Sequence, residues 1–198
     1  PQCWTSDDTD AIERLKIQYG TSYCYPISSM GSHVSVTPNH QLARTTPLHT
    51  RANVAYFGTF GYELDLNKLT KEEQSEVKEQ IIFMKKYRQL IQFGTFYRLS
   101  SPFESNITMW MVVSGDKTEA IVGWYKVLNT VNDSYTRIQL KGLDPALCYE
   151  NTITGKMYYG DELMNLGLIT TDVSAGEAYG DLEPGGDFDS RLYIFKAK

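Results

Sequence analysis

Near residue 94 the apolar pattern of the chain changes period, and that change limits it to two architectures in succession. Just before it, Val77, Ile81, Met84, Leu90 and Ile91, with Phe83 and Tyr87 beside them, recur at helical spacing. Thr70 and Glu73 form a Thr-x-x-Glu capping box at the start, and Gly94 supplies the stop. At about 1.5 Å per residue, a helix over residues 71–92 is roughly 30 Å long. Its acidic start and its Lys85, Lys86 and Arg88 end match the helix dipole. Beyond residue 94 the chain turns to short β-prone runs at roughly ten-residue intervals. Residues 107–113 and 119–128 flank Ser114-Gly115-Asp116-Lys117 and read as a hairpin. Residues 135–140 alternate up to a turn at Gly142-Leu143-Asp144-Pro145, and 147–153 with 156–159 form a second hairpin across Thr154-Gly155. Residues 191–195 read as a terminal strand. Strands so spaced predict an antiparallel β-sandwich over residues 94–198. The tract 176–189 carries four glycines, a proline and five acids, and predicts a long surface loop. Its acids lack the spaced ligands and terminal glutamate of an EF-hand, so no metal site is assigned to them.

Residues 1–93 read instead as strand–helix units. Ile12, Leu15 and Tyr19 recur at helical spacing, so a helix begins near Ala11, with Asp10 as N-cap and Glu13 as its N3 partner. The apolar run Tyr23-Cys24-Tyr25-Pro26 predicts a short buried strand. Residues 27–39, rich in Ser, Gly and Pro, predict a loop, in which Met30, Gly31 and His33 are placed to line a pocket. Pro47 suits the first position of a helix whose apolar face is Leu48, Ala52, Ala55 and Tyr56. Residues 57–64, with three aromatics and two glycines, predict a further strand. Glu63 and Asp65 behind it are carboxylate candidates, Asp65 best placed as a cap.

The chemistry concentrates near the amino end. In Trp4-Thr5-Ser6-Asp7-Asp8-Thr9-Asp10 three carboxylates crowd four positions, between a tryptophan and a helix. Asp10 already has a capping role, whereas Asp7 and Asp8 fall where a strand ending at Trp4-Thr5 passes into the helix. In alternating strand–helix barrels that junction is where catalytic groups collect. A carboxyl held against an indole has its charged form disfavoured by desolvation, which suits a general acid. The plainer alternative is a solvated acidic turn. Arg44 and Arg51 are available as ionic partners for this acidic stretch.

Composition narrows the partners. A net charge of −5 without a Lys/Arg cluster argues against nucleic acid. The longest apolar run, around Met109-Trp110-Met111-Val112-Val113, falls far short of the roughly 20 residues that span a bilayer, so no membrane partner is expected. Three widely separated cysteines fit a reducing, cytoplasmic compartment better than a disulfide scaffold. His33, His40 and His49 lack the paired spacing of a zinc protease, and neither a metal nor a cofactor is implied.

The run Trp4 to Leu15 closely resembles a signature of the family 36 glycoside hydrolases, the microbial α-galactosidases. The resemblance continues through Gln18-Tyr19-Gly20-Thr21, Tyr25-Pro26-Ile27-Ser28-Ser29-Met30-Gly31-Ser32-His33-Val34-Ser35, Pro38-Asn39-His40-Gln41 and residues 51–65. It implies the C-terminal portion of a (β/α)8 catalytic barrel over residues 1–93, followed by a β-sandwich over 94–198. It further implies a retaining enzyme that hydrolyses terminal α-linked galactose from oligosaccharides such as melibiose and raffinose. By motif position the general acid/base is Asp7, with Asp10 as the alternative, and Trp4 shapes the substrate pocket. The family's nucleophile lies in a Lys-Trp-Asp-type motif that this chain lacks, so the chain alone is expected to be inactive. Family members often form tetramers, which implies a homo-oligomer. Competing readings are a raffinose- or stachyose-forming galactosyltransferase, a non-catalytic carbohydrate-binding sandwich, and a magnesium hydrolase built on Asp7, Asp8 and Asp10.

Overall fold

A computed structural model describes residues 2–130, 136–170 and 186–198. The chain divides into two compact units, Pro1–Gly94 and Thr95–Lys198. The expected strand residue Tyr135 and most of the glycine-rich tract, including its acids Glu177, Asp181 and Glu183, lie outside the described residues.

The first unit contains α1 (Ala11–Thr21), β1 (Gly31–Ser35), α2 (Leu48–Ala55), β2 (Thr59–Glu63) and α3 (Lys71–Phe93). β1 and β2 are parallel, with His33 opposite Gly61 and Ser35 opposite Glu63. A parallel bridge from Cys3 to Met30 places the chain before α1 on the other side of β1. Three parallel segments are thus each followed by a helix. Successive strand residues point to opposite faces. Ser32 and Val34 are buried, and Ser32 Oγ donates to Gln18 Oε1 of α1 at 2.8 Å. The amide of Gln18 in turn donates to the carbonyls of Val54 and Phe57 at 3.1 and 3.4 Å, tying α1 to the end of α2. On β2, Phe60 stacks on Tyr56 with centroids 5.0 Å apart, and Tyr62 donates to Gln80 Oε1 of α3 at 2.8 Å. Helix-facing residues are therefore fully engaged, leaving the alternate set, Gly31, His33 and Ser35 with Thr59, Gly61 and Glu63, for the opposite face.

Two local expectations for this unit change. Tyr23-Cys24-Tyr25 is a turn with both tyrosines exposed, not a buried strand. The strand is Gly31–Ser35, inside the stretch expected to be a loop. Its small residues are required by close packing: a Cβ on Gly58 would sit 2.6 Å from Ser32 Cβ and 2.9 Å from the Met30 carbonyl oxygen. Met30 itself is fully buried. Pro47 serves as N-cap of α2 and not as its first residue. The capping box of α3 is formed by Thr70 and Glu73.

The second unit is a six-stranded antiparallel sheet in the order β3-β4-β5-β10-β7-β8. Its strands are β3 (Thr95–Ser100), β4 (Ile107–Val113), β5 (Glu119–Lys126), β7 (Cys148–Asn151), β8 (Met157–Tyr159) and β10 (Asp189–Ala197). The C-terminal strand enters the centre of the sheet, pairing with β5 on one side and β7 on the other. A small second layer holds β6 (Arg137–Ile138), β9 (Leu168–Ile169) and α4 (Gly160–Asn165). Met109, Met111, Val122, Trp124 and Phe195 of the large sheet share one core with Leu140, Leu163 and Leu168 of the small layer. The sandwich is therefore unequal. Both expected hairpins are present, but β6 is two residues long where six were expected.

The tight β1–β2 approach gives a first test. Gly58→Ala should destabilise the protein by about 1–3 kcal/mol, the usual cost of overpacking. Equilibrium denaturation showing a loss below roughly 0.5 kcal/mol would mean that the strands tolerate the added methyl group.

Candidate active site

The residues that leave the first strand segment form a turn pinned at nearly every position. The N–H of Ser6 donates to the Trp4 carbonyl at 3.0 Å across Thr5, whose φ is +71°. That is the rare, positive-φ form of the γ-turn. For a β-branched residue the conformation costs on the order of 1–3 kcal/mol, so neighbouring contacts must hold it. They do. Thr5 Oγ1 donates to the Trp4 carbonyl and accepts from Arg14 Nη1 at 2.7 Å. The other end of the Arg14 guanidinium donates to the Gly31 carbonyl, and its Nε donates to Gln18 Oε1 at 3.3 Å. Burial disfavours the charge on Arg14 and lowers its pKa, an effect that Asp8 and Glu63 only oppose.

Beyond Thr5 the acids divide by position. Ser6 Oγ accepts from the Asp8 N–H at 3.0 Å, and Asp8 Oδ1 accepts from the Asp10 N–H at 2.9 Å. Asp10 Oδ2 accepts from the N–H groups of Ile12 and Glu13 at 3.1 and 3.0 Å, capping α1. Asp10 is 2% exposed, and its charge is met by Arg44, which also approaches Glu13 at 3.7 Å. The expected link between Arg44 and the acidic run is present. Arg51 instead donates to the Ser35 carbonyl at 2.6 Å. The Thr9 carbonyl accepts from Ser35 Oγ at 2.8 Å, which moors the turn to the end of β1. Asp8, expected to be free, is a turn residue, and Asp10 is a cap. Asp7 lies between Ser6 and Asp8 in sequence and is exposed.

Asp7 Oδ1 accepts from the indole N–H of Trp4 at 2.9 Å, and its side chain is exposed. The indole therefore meets the carboxylate through its N–H, not as the desolvating wall that the sequence suggested. The Trp4 ring leans on His33, centroids 5.2 Å apart at 40°, and is 51% exposed. His33 Nδ1 lies 3.9 Å from Glu63 Oε2, too long for a hydrogen bond. Burial lowers the His33 pKa; Glu63 opposes that shift and Arg14 adds to it. A Cβ on Gly61 would lie 3.1 Å from the His33 ring, so glycine makes room for the imidazole. Gln2 Nε2 donates to Thr59 Oγ1 at 3.0 Å on the same face.

Trp4, Asp7, His33 and Glu63 thus follow one another across adjacent parallel segments, on the face opposite the helices. The sequence placed His33 in a pocket-lining loop without a catalytic role and did not single out Thr5 or Arg14. The parallel register reveals His33; nothing in the spacing of Thr5 or Arg14 would have. A groove of about 270 Å³ lies elsewhere, between β2 and α3, lined by Phe60, Ile81, Met84, Lys85 and Arg88. It carries no carboxylate and none of the four residues above. Among the described residues, no group of three or more His, Cys, Asp or Glu side chains is placed to hold a metal ion.

Comparison with known proteins identifies the family. Residues 1–94 match the melibiase family model, and residues 107–195 match the glycosyl hydrolase family 36 C-terminal domain. The chain belongs to glycoside hydrolase family 36. It is 55% identical over 168 residues to alpha-galactosidase AgaA of Geobacillus stearothermophilus, covering 85% of this chain and 23% of that protein. It is 48% identical over 197 residues to alpha-galactosidase Mel36A of Lactobacillus acidophilus, covering 100% of this chain and 25% of that one. A solved structure of an AgaA variant in complex with raffinose superposes with a TM-score of 0.91 at 48% identity, over 100% of this chain and 26% of that chain. The chain therefore spans about a quarter of the length of the relatives it matches.

The division of labour in the acidic run is testable by stability. In the full-length polypeptide carrying this chain, Asp10→Ala should cost about 0.5–2 kcal/mol by removing the cap of α1. Asp7→Ala should stay within about 0.5 kcal/mol of the parent, as exposed sites generally do. Thermal melts that rank the two variants the other way would exchange their roles.

Proposed function

We propose that this chain supplies the general acid/base of a retaining α-galactosidase, and that Asp7 is that residue. The single observation carrying the proposal is the Trp4–Asp7 hydrogen bond on the open face of a parallel sheet, directly after a strand. Asp8 and Asp10, the competing carboxylates, are occupied by backbone groups and Arg44. Asp7 is the acid of the run whose oxygens meet no backbone donor. Its exposure fits this role, because a general acid must reach a substrate oxygen. The three strand–helix units, on this reading, are the last part of a (β/α)8 barrel, whose catalytic groups sit at the carboxyl ends of the strands.

The reaction has two steps. A second carboxylate, outside this chain, attacks the anomeric carbon while Asp7 gives its proton to the departing oxygen. Asp7 then takes a proton from water as that water cleaves the galactosyl–enzyme bond. Retention needs the two carboxyl groups about 5 Å apart. Trp4 would hold Asp7 in place through its N–H and offer its exposed ring to the apolar face of the sugar. The substrate class is oligosaccharides ending in α-linked galactose. This is supported by relatives named as α-galactosidases and by structures of AgaA variants with raffinose and with stachyose. Cys3, Cys24 and Cys148 are free thiols, which supports a reducing, cytoplasmic setting. No helix among the described residues is long and apolar enough to cross a membrane.

In the full-length polypeptide, Asp7→Ala should lower turnover of raffinose by roughly 10²–10⁴-fold, the usual contribution of a positioned acid/base. Azide should restore part of the turnover of an aryl galactoside with an activated leaving group, since it needs no general base. Unchanged raffinose turnover removes Asp7 from the mechanism. The isolated 198-residue chain should show no release of p-nitrophenol from p-nitrophenyl α-galactoside.

A further inference from the structure

We propose that Arg14 and Thr5 are positioning residues for the acid/base: the buried guanidinium clamps the γ-turn that aims the Asp7 carboxylate. The inference rests on the assignment of Asp7 above. The turn reverses the chain within three residues, and only by that reversal does Asp7 come back against the indole of the residue three positions earlier. Thr5 sits at its apex with φ +71°, a conformation a β-branched residue avoids. Glycine would adopt it without strain, and threonine offers one thing glycine lacks, a hydroxyl. That hydroxyl is used twice, donating to the Trp4 carbonyl and accepting from Arg14.

Arg14 is 5% exposed, yet it reaches the turn, the Gly31 carbonyl and Gln18 at once. The Gly31 N–H donates to the Cys3 carbonyl at 2.8 Å, so the clamped carbonyl belongs to the residue paired with the strand that leads into Trp4. One planar fork therefore fixes the turn against β1, the strand that also carries His33 beneath the Trp4 ring. A lysine cannot reproduce that bridge, because its ammonium is a single point of donation. The side chains of Arg14 and Thr5 bond the Trp4 and Gly31 carbonyls, Gln18 and each other, and not Asp7, so the clamp acts through the turn it holds.

The test separates acid catalysis from general damage by varying the leaving group. In the full-length polypeptide, kcat/KM is measured for raffinose, whose sugar leaving group needs a proton, and for 2,4-dinitrophenyl α-galactoside, whose leaving group does not. Thr5→Val keeps the branch and volume but removes the hydroxyl; Thr5→Ser keeps the hydroxyl; Arg14→Lys keeps the charge. Thr5→Val and Arg14→Lys should lose at least about tenfold on raffinose, within the roughly 10²-fold that a small misplacement of a catalytic group can cost. Both should lose less than about threefold on the dinitrophenyl substrate. Thr5→Ser should stay near the parent on both. Equal losses on the two substrates, or no loss on either, overturn the proposal. If Arg14→Lys fails to fold, the Thr5 pair decides alone. Asp7→Ala is run beside them. Should Asp7→Ala lack the leaving-group dependence, the acid/base assignment falls and takes this inference with it; should it show that dependence while Thr5→Val does not, only this inference falls.

Discussion

The parallel pairing of β1 with β2 governs everything in the first unit. In a parallel pair with fixed register, side chains separate strictly into two sets. Ser32, Val34, Phe60 and Tyr62 are committed to the helices, where α1, α2 and α3 satisfy them. That commitment leaves Gly31, His33, Gly61 and Glu63 to face the other way, whatever their own preferences. A shift of one residue would bury the glutamate among helices and expose Val34, which is fully buried. Register is thus held by the cost of the alternative. The open face inherits its chemistry from that constraint.

The same logic shows what was legible in the sequence. Capping signals are local, and the sequence located them well: Asp10 begins α1, Asp65 caps a 3-10 turn, and Thr70 with Glu73 starts α3. The hairpins of the second unit were legible for a similar reason, because a tight turn between β-prone runs announces both partners. Gly31–Ser35 was not, since a strand of Gly, Ser and His has poor intrinsic β-propensity. It exists because Gly58 and Ser32 allow the neighbouring backbones to approach closely. Tyr23 and Tyr25 misled in the opposite sense, having strong propensity but no sheet to join. Tertiary packing decided both cases.

The carboxylate proposed as the acid/base was found through a motif, but its environment was not. Proximity to tryptophan in sequence suggested desolvation by the ring. A γ-turn at Thr5 reverses the chain, so the indole presents its N–H. Positive φ at a threonine has no sequence signature, and neither does a buried arginine whose partners lie at residues 5 and 31. Strain of this kind is a property of the fold as a whole, since the local chain would relax without the clamp.

The acidic run then makes sense as an ordered series and not as a cluster. Ser6, Asp8 and Asp10 each accept a backbone N–H two residues further on, so even-numbered side chains turn inward and build the helix entry. Of the odd positions between them, Thr9 is buried and Asp7 is exposed. Asp7 is released by its neighbours' engagement, and the clamp at Thr5 decides where the released side chain points. Replacing any inward acid would free a backbone donor and loosen the turn. Replacing Asp7 would remove the partner of the Trp4 indole and no backbone contact. A crowded acidic sequence can therefore leave one carboxylate open: the other acids serve the structure, and their charges are matched to amide dipoles and Arg44.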